Sequence, residues 1–200
     1  MKRNLRIGLF GGSFDPVHSG HMALAAAAKR ELKLDRVVFI PARIPPHKLS
    51  KHPAPGRIRF NMLRAALKKH PGFSVSRYEL DRKPPTFTFQ TAARFEKLYP
   101  RARLFFIIGA DSLLELGTWK NIKKLVRRVQ FATAGRRGVK ITAKTPFYDS
   151  VIMLKNIPPL VSSSRIRELA GRGEPLKGLV PPVIERIIRK GHVYKAIPAR

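Results

Sequence analysis

Apolar residues fall in short dense runs, separated by longer segments in which they recur every three to four positions. Leu5–Phe10, Val37–Ile40, Leu104–Ile108, Val129–Thr133 and Val151–Leu154 are compact apolar runs of strand length, and Phe73–Val75 is a shorter one. Between them lie helical patterns. Met22–Leu32 holds four consecutive alanines, the strongest helix formers. Arg57–Lys69 spaces Ile58, Met62, Leu63, Ala66 and Leu67 for one helical face. Thr88–Leu98, a segment from Asp111 to Leu116, Trp119–Val126, Ser162–Ala170 and Val183–Arg189 complete the predicted helices. Pro41–Pro55 carries too much proline for regular structure and reads as a long loop. Strands alternating with helices predict an α/β fold, a predominantly parallel sheet covered on both faces. The expected organisation is a single domain over 1–200, with a helical C-terminal part at about 162–200.

Composition narrows the function classes. A chain of 200 residues with 44% apolar residues can bury a substantial core. It has no cysteine, which removes disulfides, thiolate metal sites and cysteine nucleophiles. Forty-one Lys plus Arg against 12 Asp plus Glu give a formal charge of +29, a balance that favours nucleotides, phosphates or RNA as partners. The basic residues are spread along the chain, so charge alone does not choose among these. No apolar run is long enough to span a membrane, and MKRNLRIGLFGG reads as a first strand and not as a signal peptide. A cytoplasmic location is expected.

In parallel sheets ligands bind beyond the carboxyl ends of the strands. The first such loop is GGSFDPVHSGH, Gly11–His21. Gly11 and Gly12 present backbone that a phosphate can approach closely. A helix starting at Ser19 or Gly20 adds free N–H groups and partial positive charge. That start puts His21 in the first turn and His18 just before it, both facing one phosphate chain. Capping or packing of the helix by the two imidazoles is the alternative. Two histidines with Asp15 do not complete a zinc site, and no protein metal-ligand set is expected. Asp15 either orients a histidine or basic neighbour, or makes a turn into Pro16. GxGxxG and the Walker lysine motif are both absent.

Later loops carry related chemistry. Ser162 and Ser163 open the helix of SSSRIR, an anion-binding start that Arg167 can complete as a bidentate clamp; an ordinary serine cap with a solvated arginine is the alternative. Gly109 lets a ribose or base approach, and Asp111 can accept from ribose hydroxyls or cap a helix. Thr86 and Thr88 can hold a carboxylate or phosphate. Trp119 offers a stacking face or belongs to the core. His47 and Lys48, in the proline-stiffened PPHK, suit a phosphate or form a solvated basic loop.

HSGH, His18–His21, matches the HxGH hallmark of a nucleotidyltransferase superfamily, and the fuller GGSFDPVHSGH resembles the bacterial nicotinate-nucleotide adenylyltransferase family. PARIPPHK (Pro41–Lys48), VSRYELDRKPPTFTFQT (Val75–Thr91), FIIGADSLLELGTWKNI (Phe106–Ile122), VSSSRIREL (Val161–Leu169) and VPPVIERIIRKGHVY (Val180–Tyr194) resemble that family in the same order. The resemblance implies a Rossmann-like doubly wound sheet and transfer of AMP from ATP to nicotinate mononucleotide, giving nicotinate adenine dinucleotide and pyrophosphate. It places His18, His21, Lys48 and Arg167 in catalysis at the phosphates. Gly11, Gly12, Phe14, Gly109, Asp111, Ser162 and Ser163 line the nucleotide. His47, Lys48, Thr86, Phe87, Thr88, Trp119 and Arg136 take the acceptor. Mg2+ is expected to arrive with ATP.

Three departures stand out. The family's serine–serine–threonine is here Ser162–Ser163–Ser164, its serine–tyrosine–threonine is Thr86–Phe87–Thr88, and its Arg-Pro-Gly is Arg136–Arg137–Gly138. The competing readings are nicotinamide mononucleotide as acceptor on the same fold, and a basic nucleic-acid-binding protein. Assembly as a homo-oligomer and non-specific polyanion or RNA binding stay open as partner readings.

Overall fold

The strands alternate their side chains between two apolar layers, and this fixes the architecture. In the computed structural model, which describes residues 4–43, 53–83 and 85–194, one sheet contains β1 (Arg6–Gly12), β2 (Arg36–Pro41), β3 (Phe73–Val75), β4 (Arg103–Ile107), β5 (Gln130–Ala134) and β6 (Val151–Leu154). Every pairing is parallel, in the order β3-β2-β1-β4-β5-β6. This is the doubly wound, Rossmann-like sheet expected.

Phe10, Val37, Phe39, Phe105 and Ile107 face one layer, with α1 (Ser19–Glu31), α2 (Gly56–Leu67), α6 (Ser163–Gly171) and α7 (Pro182–Lys190). Ile7, Leu9, Val38, Ile40, Leu104 and Phe106 face the other, with α3 (Thr88–Leu98), α4 (Ala110–Leu114) and α5 (Ile122–Leu125). Successive residues of a strand point to opposite faces, so both layers draw on the same strands. Each fully buried Phe, Leu or Ile contributes about 1.5–3 kcal/mol. In α1, Ala25, Ala27 and Ala28 are buried and Ala26 is exposed; the small side chains let the helix lie close to the sheet.

Strand order runs outward in two directions from β1 and β4. Their carboxyl ends border the crevice where such sheets take ligands. The loop from Ser13 to His18 leaves β1 there, and Gly109 follows β4 there. Among the described residues no helix is long and apolar enough to cross a membrane.

Two expectations need correction. The glycine pair is not loop: Gly11 and Gly12 are the last residues of β1, in register with Ile40 and Pro41. Trp119–Val126 is not one helix. A 3-10 turn at Leu116–Thr118 gives way to extended Trp119 and to Asn121 at φ 58, and only Ile122–Leu125 is helical. The cause is packing: the Trp119 ring seats edge-on against Phe106 and Phe131, which draws the chain out of helical register.

Candidate active site

Phe14 builds the floor. It adopts φ 47, and its fully buried ring packs edge-on against Phe10 at 5.3 Å and His21 at 5.0 Å. The ring lies beneath the loop, so it is the Phe14 backbone that a ligand there could meet. The glycines are explained in a similar way. A Cβ on Gly11 would come within 3.1 Å of the Phe106 ring, and one on Gly12 within 3.1 Å of the Phe14 ring. Tight packing against aromatic rings favours glycine at both positions. Around Gly109, by contrast, a Cβ would meet nothing within 4 Å.

The two histidines cap the helix and stack on each other. His18 is the N-cap of α1, in extended conformation. Its Nδ1 accepts from the His21 N–H, and His21 Nδ1 accepts from the His18 N–H, each at 3.3 Å. The rings lie 3.6 Å apart, nearly parallel. With both Nδ1 atoms accepting, the neutral rings carry their proton on Nε2, so each is a donor at that atom. Capping and phosphate binding thus cease to be alternatives, because the cap fixes the tautomer that donates. Gly20 permits the stack: a Cβ there would lie 3.2 Å from the His18 ring and 3.2 Å from the Pro159 carbonyl. Ser19 Oγ donates to the carbonyls of Gly178 (3.0 Å) and Leu179 (2.9 Å), tying the helix start to the C-terminal segment.

His18 is buried. That burial, with the Arg136 guanidinium second, lowers its pKa from 6.5 to about 4. The ring is therefore neutral at pH 7 unless a polyanion raises its pKa. Between pH 6.5 and about 4 the unfolded chain binds more protons at this residue than the folded one. The contribution of His18 to stability is therefore complete above pH 6.5 and is lost as pH falls toward 4. An NMR titration of the His18 ring is expected to give a midpoint near 4 that rises when pyrophosphate is added; a midpoint at 6.5 contradicts this environment.

Arg167 enters from α6. Its Nη1 donates to the Asp15 carbonyl at 2.8 Å and its Nη2 to Ser164 Oγ at 3.1 Å. Ser163 Oγ donates to the Pro16 carbonyl at 3.2 Å, and Ser162, at the N-cap position, makes no side-chain cap bond. The plain serine cap is thus not what the sequence SSSRIR builds; it docks the start of α6 onto the Asp15–Pro16 loop. Asp15 serves basic and hydroxyl neighbours, not a histidine. Its carboxylate lies 3.7 Å from Arg167 and accepts from Tyr194 Oη at 2.7 Å and Ala54 N at 3.1 Å.

Asp111 does not cap α4; Gly109 holds the N-cap position, and the Asp111 carboxylate pairs with Arg136. That pair links the first turn of α4 to the loop after β5. His47 and Lys48 lie outside the described residues.

A sequence profile of the Cytidylyltransferase-like family matches residues 9–169. A "Probable nicotinate-nucleotide adenylyltransferase" of Thermoanaerobacter sp. (strain X514) is 40% identical, covering 98% of this chain and 97% of that protein. One from Exiguobacterium sibiricum, of the same description, is 38% identical, covering 95% and 99%. The chain belongs to the nicotinate-nucleotide adenylyltransferase family. In fold it is similar to Plasmodium falciparum nicotinic acid mononucleotide adenylyltransferase complexed with NaAD, at a TM-score of 0.81 and 20% identity, with 96% of this chain and 98% of that one covered.

Against the family pattern, the loss of proline at Arg136–Arg137–Gly138 leaves the turn closed. Val139 N donates to the Arg136 carbonyl at 3.0 Å, with Gly138 at φ 81 supplying the left-handed position. In Thr86–Phe87–Thr88, Phe87 precedes α3, and its N–H is held by Gln90 Oε1 at 3.0 Å. The Phe87 ring lies under Lys120 Nζ at 4.4 Å, which brings this loop beside the Trp119 segment. Thr86 Oγ1 is buried with no hydrogen-bond partner among the described residues. Trp119 is half-buried against Phe106 and Phe131, so it joins the core with part of its surface still open.

Sequence reasoning passed over several residues that hold the site. Arg59, 1% exposed, donates to the carbonyls of Ala54 (2.8 Å), Ser13 (2.7 Å) and Arg43 (3.2 Å). Its signal was present: Arg59 falls at i, i+3, i+4, i+7 and i+8 spacing with Met62, Leu63, Ala66 and Leu67, a charge on the apolar stripe. Glu79 is buried and accepts from Thr91 Oγ1 at 2.6 Å, and burial raises its pKa. Tyr194 had no signal beyond the family-like tail.

Proposed function

We propose that this chain transfers the adenylyl group of ATP to nicotinate mononucleotide in the cytoplasm, giving nicotinate adenine dinucleotide and pyrophosphate. The observation that carries the reading is the coupled histidine pair. Two imidazoles with Nδ1 committed to backbone N–H groups present Nε2 donors at the topological switch point, beside a loop that also holds Arg167.

The acceptor's phosphate is anionic near neutral pH, with a second pKa near ~6, and needs no strong base. One of its oxygens bonds to the α-phosphorus of ATP as the bond from that phosphorus to the β-bridging oxygen breaks, and pyrophosphate leaves with those electrons. The barrier is electrostatic. Preplaced donors aimed at the developing charge lower it without a covalent intermediate. His18, His21 and Arg167 take that part, with Lys48 as a further cation. Gly109 gives the adenosine room, and Asp111 accepts from its ribose. Ser162 and Ser163 open the helix facing the phosphates. Among the described residues no group of three His, Cys, Asp or Glu side chains is placed to hold a metal. Mg2+ enters with ATP as part of the substrate.

Thr86, Phe87, Thr88 and Trp119 form the acceptor side. The orphaned Thr86 hydroxyl can donate to a carboxylate, and Lys120 and Arg136 add positive charge favouring the acid over the neutral amide. Competition between nicotinate and nicotinamide mononucleotides with ATP is expected to favour the acid by about tenfold or more in kcat/KM. Equal specificity constants reject the acid-specific reading.

A further inference from the structure

The tail of the chain reaches the site through one hydroxyl. Tyr194, 179 positions from Asp15, donates to Asp15 Oδ1 at 2.7 Å, and Ala54 N donates to the same atom at 3.1 Å. Asp15 is 4% exposed. With Oδ1 held by two neutral donors, Oδ2 stands 3.7 Å from the Arg167 guanidinium, beyond hydrogen-bond length. Arg167 is bound at the loop by the Asp15 carbonyl, not by the carboxylate, and its side chain is 22% exposed. The second cation beside Asp15, Arg59, is fixed on three main-chain carbonyls and is not free to replace the lost bond.

Deleting the Tyr194 hydroxyl leaves the buried carboxylate short of a donor. Its nearest remedy is to rotate and draw Arg167 into a direct bidentate pair, which removes guanidinium donors from an incoming phosphate.

We propose that Tyr194 is a positioning residue: through the Asp15 carboxylate it keeps the Arg167 guanidinium available to phosphate. The inference rests on the phosphate-binding role assigned to Arg167 above. Its test is a cycle of Tyr194→Phe and Arg167→Lys, singly and together, read by calorimetric binding of inorganic pyrophosphate and by kcat and KM for both substrates. Tyr194→Phe is expected to weaken pyrophosphate binding about tenfold and to leave KM for the acceptor unchanged. In the Arg167→Lys background the same change is expected to cost less than about twofold. Unchanged binding in Tyr194→Phe overturns the proposal. So does an equal loss in both backgrounds, the mark of general loosening. The binding readout needs no turnover, so it judges the Tyr194 link even where the proposed reaction itself fails.

Discussion

His21→Ala is expected to slow pyrophosphate release by about a hundred- to thousandfold while leaving a folded protein. The large kinetic effect follows from removing a preplaced donor at the point where charge builds up. The small structural effect follows from what else His21 does. Its Nδ1 accepts one N–H, from His18, and its ring sits edge-on over Phe14. Losing a cap of this kind costs about 1 kcal/mol, against a typical domain stability of about 5–15 kcal/mol. The neighbouring His18 does not compensate, because the cap bond to the His21 N–H, kept in the variant, holds its ring in place and its Nε2 supplies one donor where two were present. Steady-state pyrophosphate release, alongside a thermal melt, checks both halves. Turnover close to that of the unaltered chain contradicts the assignment.

Arg59→Ala is expected to act in the opposite sense, on stability first. The guanidinium is almost fully buried and satisfies three carbonyls from three segments that meet around the loop after β1. Burial lowers its pKa, and the Asp15 carboxylate opposes that shift. Truncation orphans the three carbonyls and strips Asp15 of a nearby cation. The expected loss is about 3–5 kcal/mol, read as a lower urea midpoint with an unchanged slope. A loss under about 1 kcal/mol would show that the carbonyls find water and that Arg59 is not what holds this loop.

Much of the fold was legible because strand length, helical period and the alanine run are local signals. Phe73–Val75, Thr88–Leu98 and Val151–Leu154 match their elements end to end. The illegible parts are those where a distant ring or charge decides. Trp119 breaks its helix to reach Phe106 and Phe131, and neither ring announces itself nearby in sequence. The glycine pair is extended because its missing side chains make room for Phe106 and Phe14. At the site, spacing alone put His18 before the helix and His21 in its first turn, as found. The reciprocal Nδ1 bonds, the depressed pKa of His18 and the Arg136–Asp111 pair needed coordinates, because each joins atoms whose separation the sequence leaves free. Arg59 lies between these cases. A cation on an apolar stripe is visible in sequence, but its three carbonyl partners are not.

The most direct measurement is a crystal structure with a non-hydrolysable ATP analogue bound. Phosphate oxygens are expected within hydrogen-bonding distance, about 2.7–3.2 Å, of Nε2 of His18, Nε2 of His21 and the Arg167 guanidinium, with the adenosine over Gly109. A triphosphate seated elsewhere, with these three groups turned from its oxygens, would contradict this.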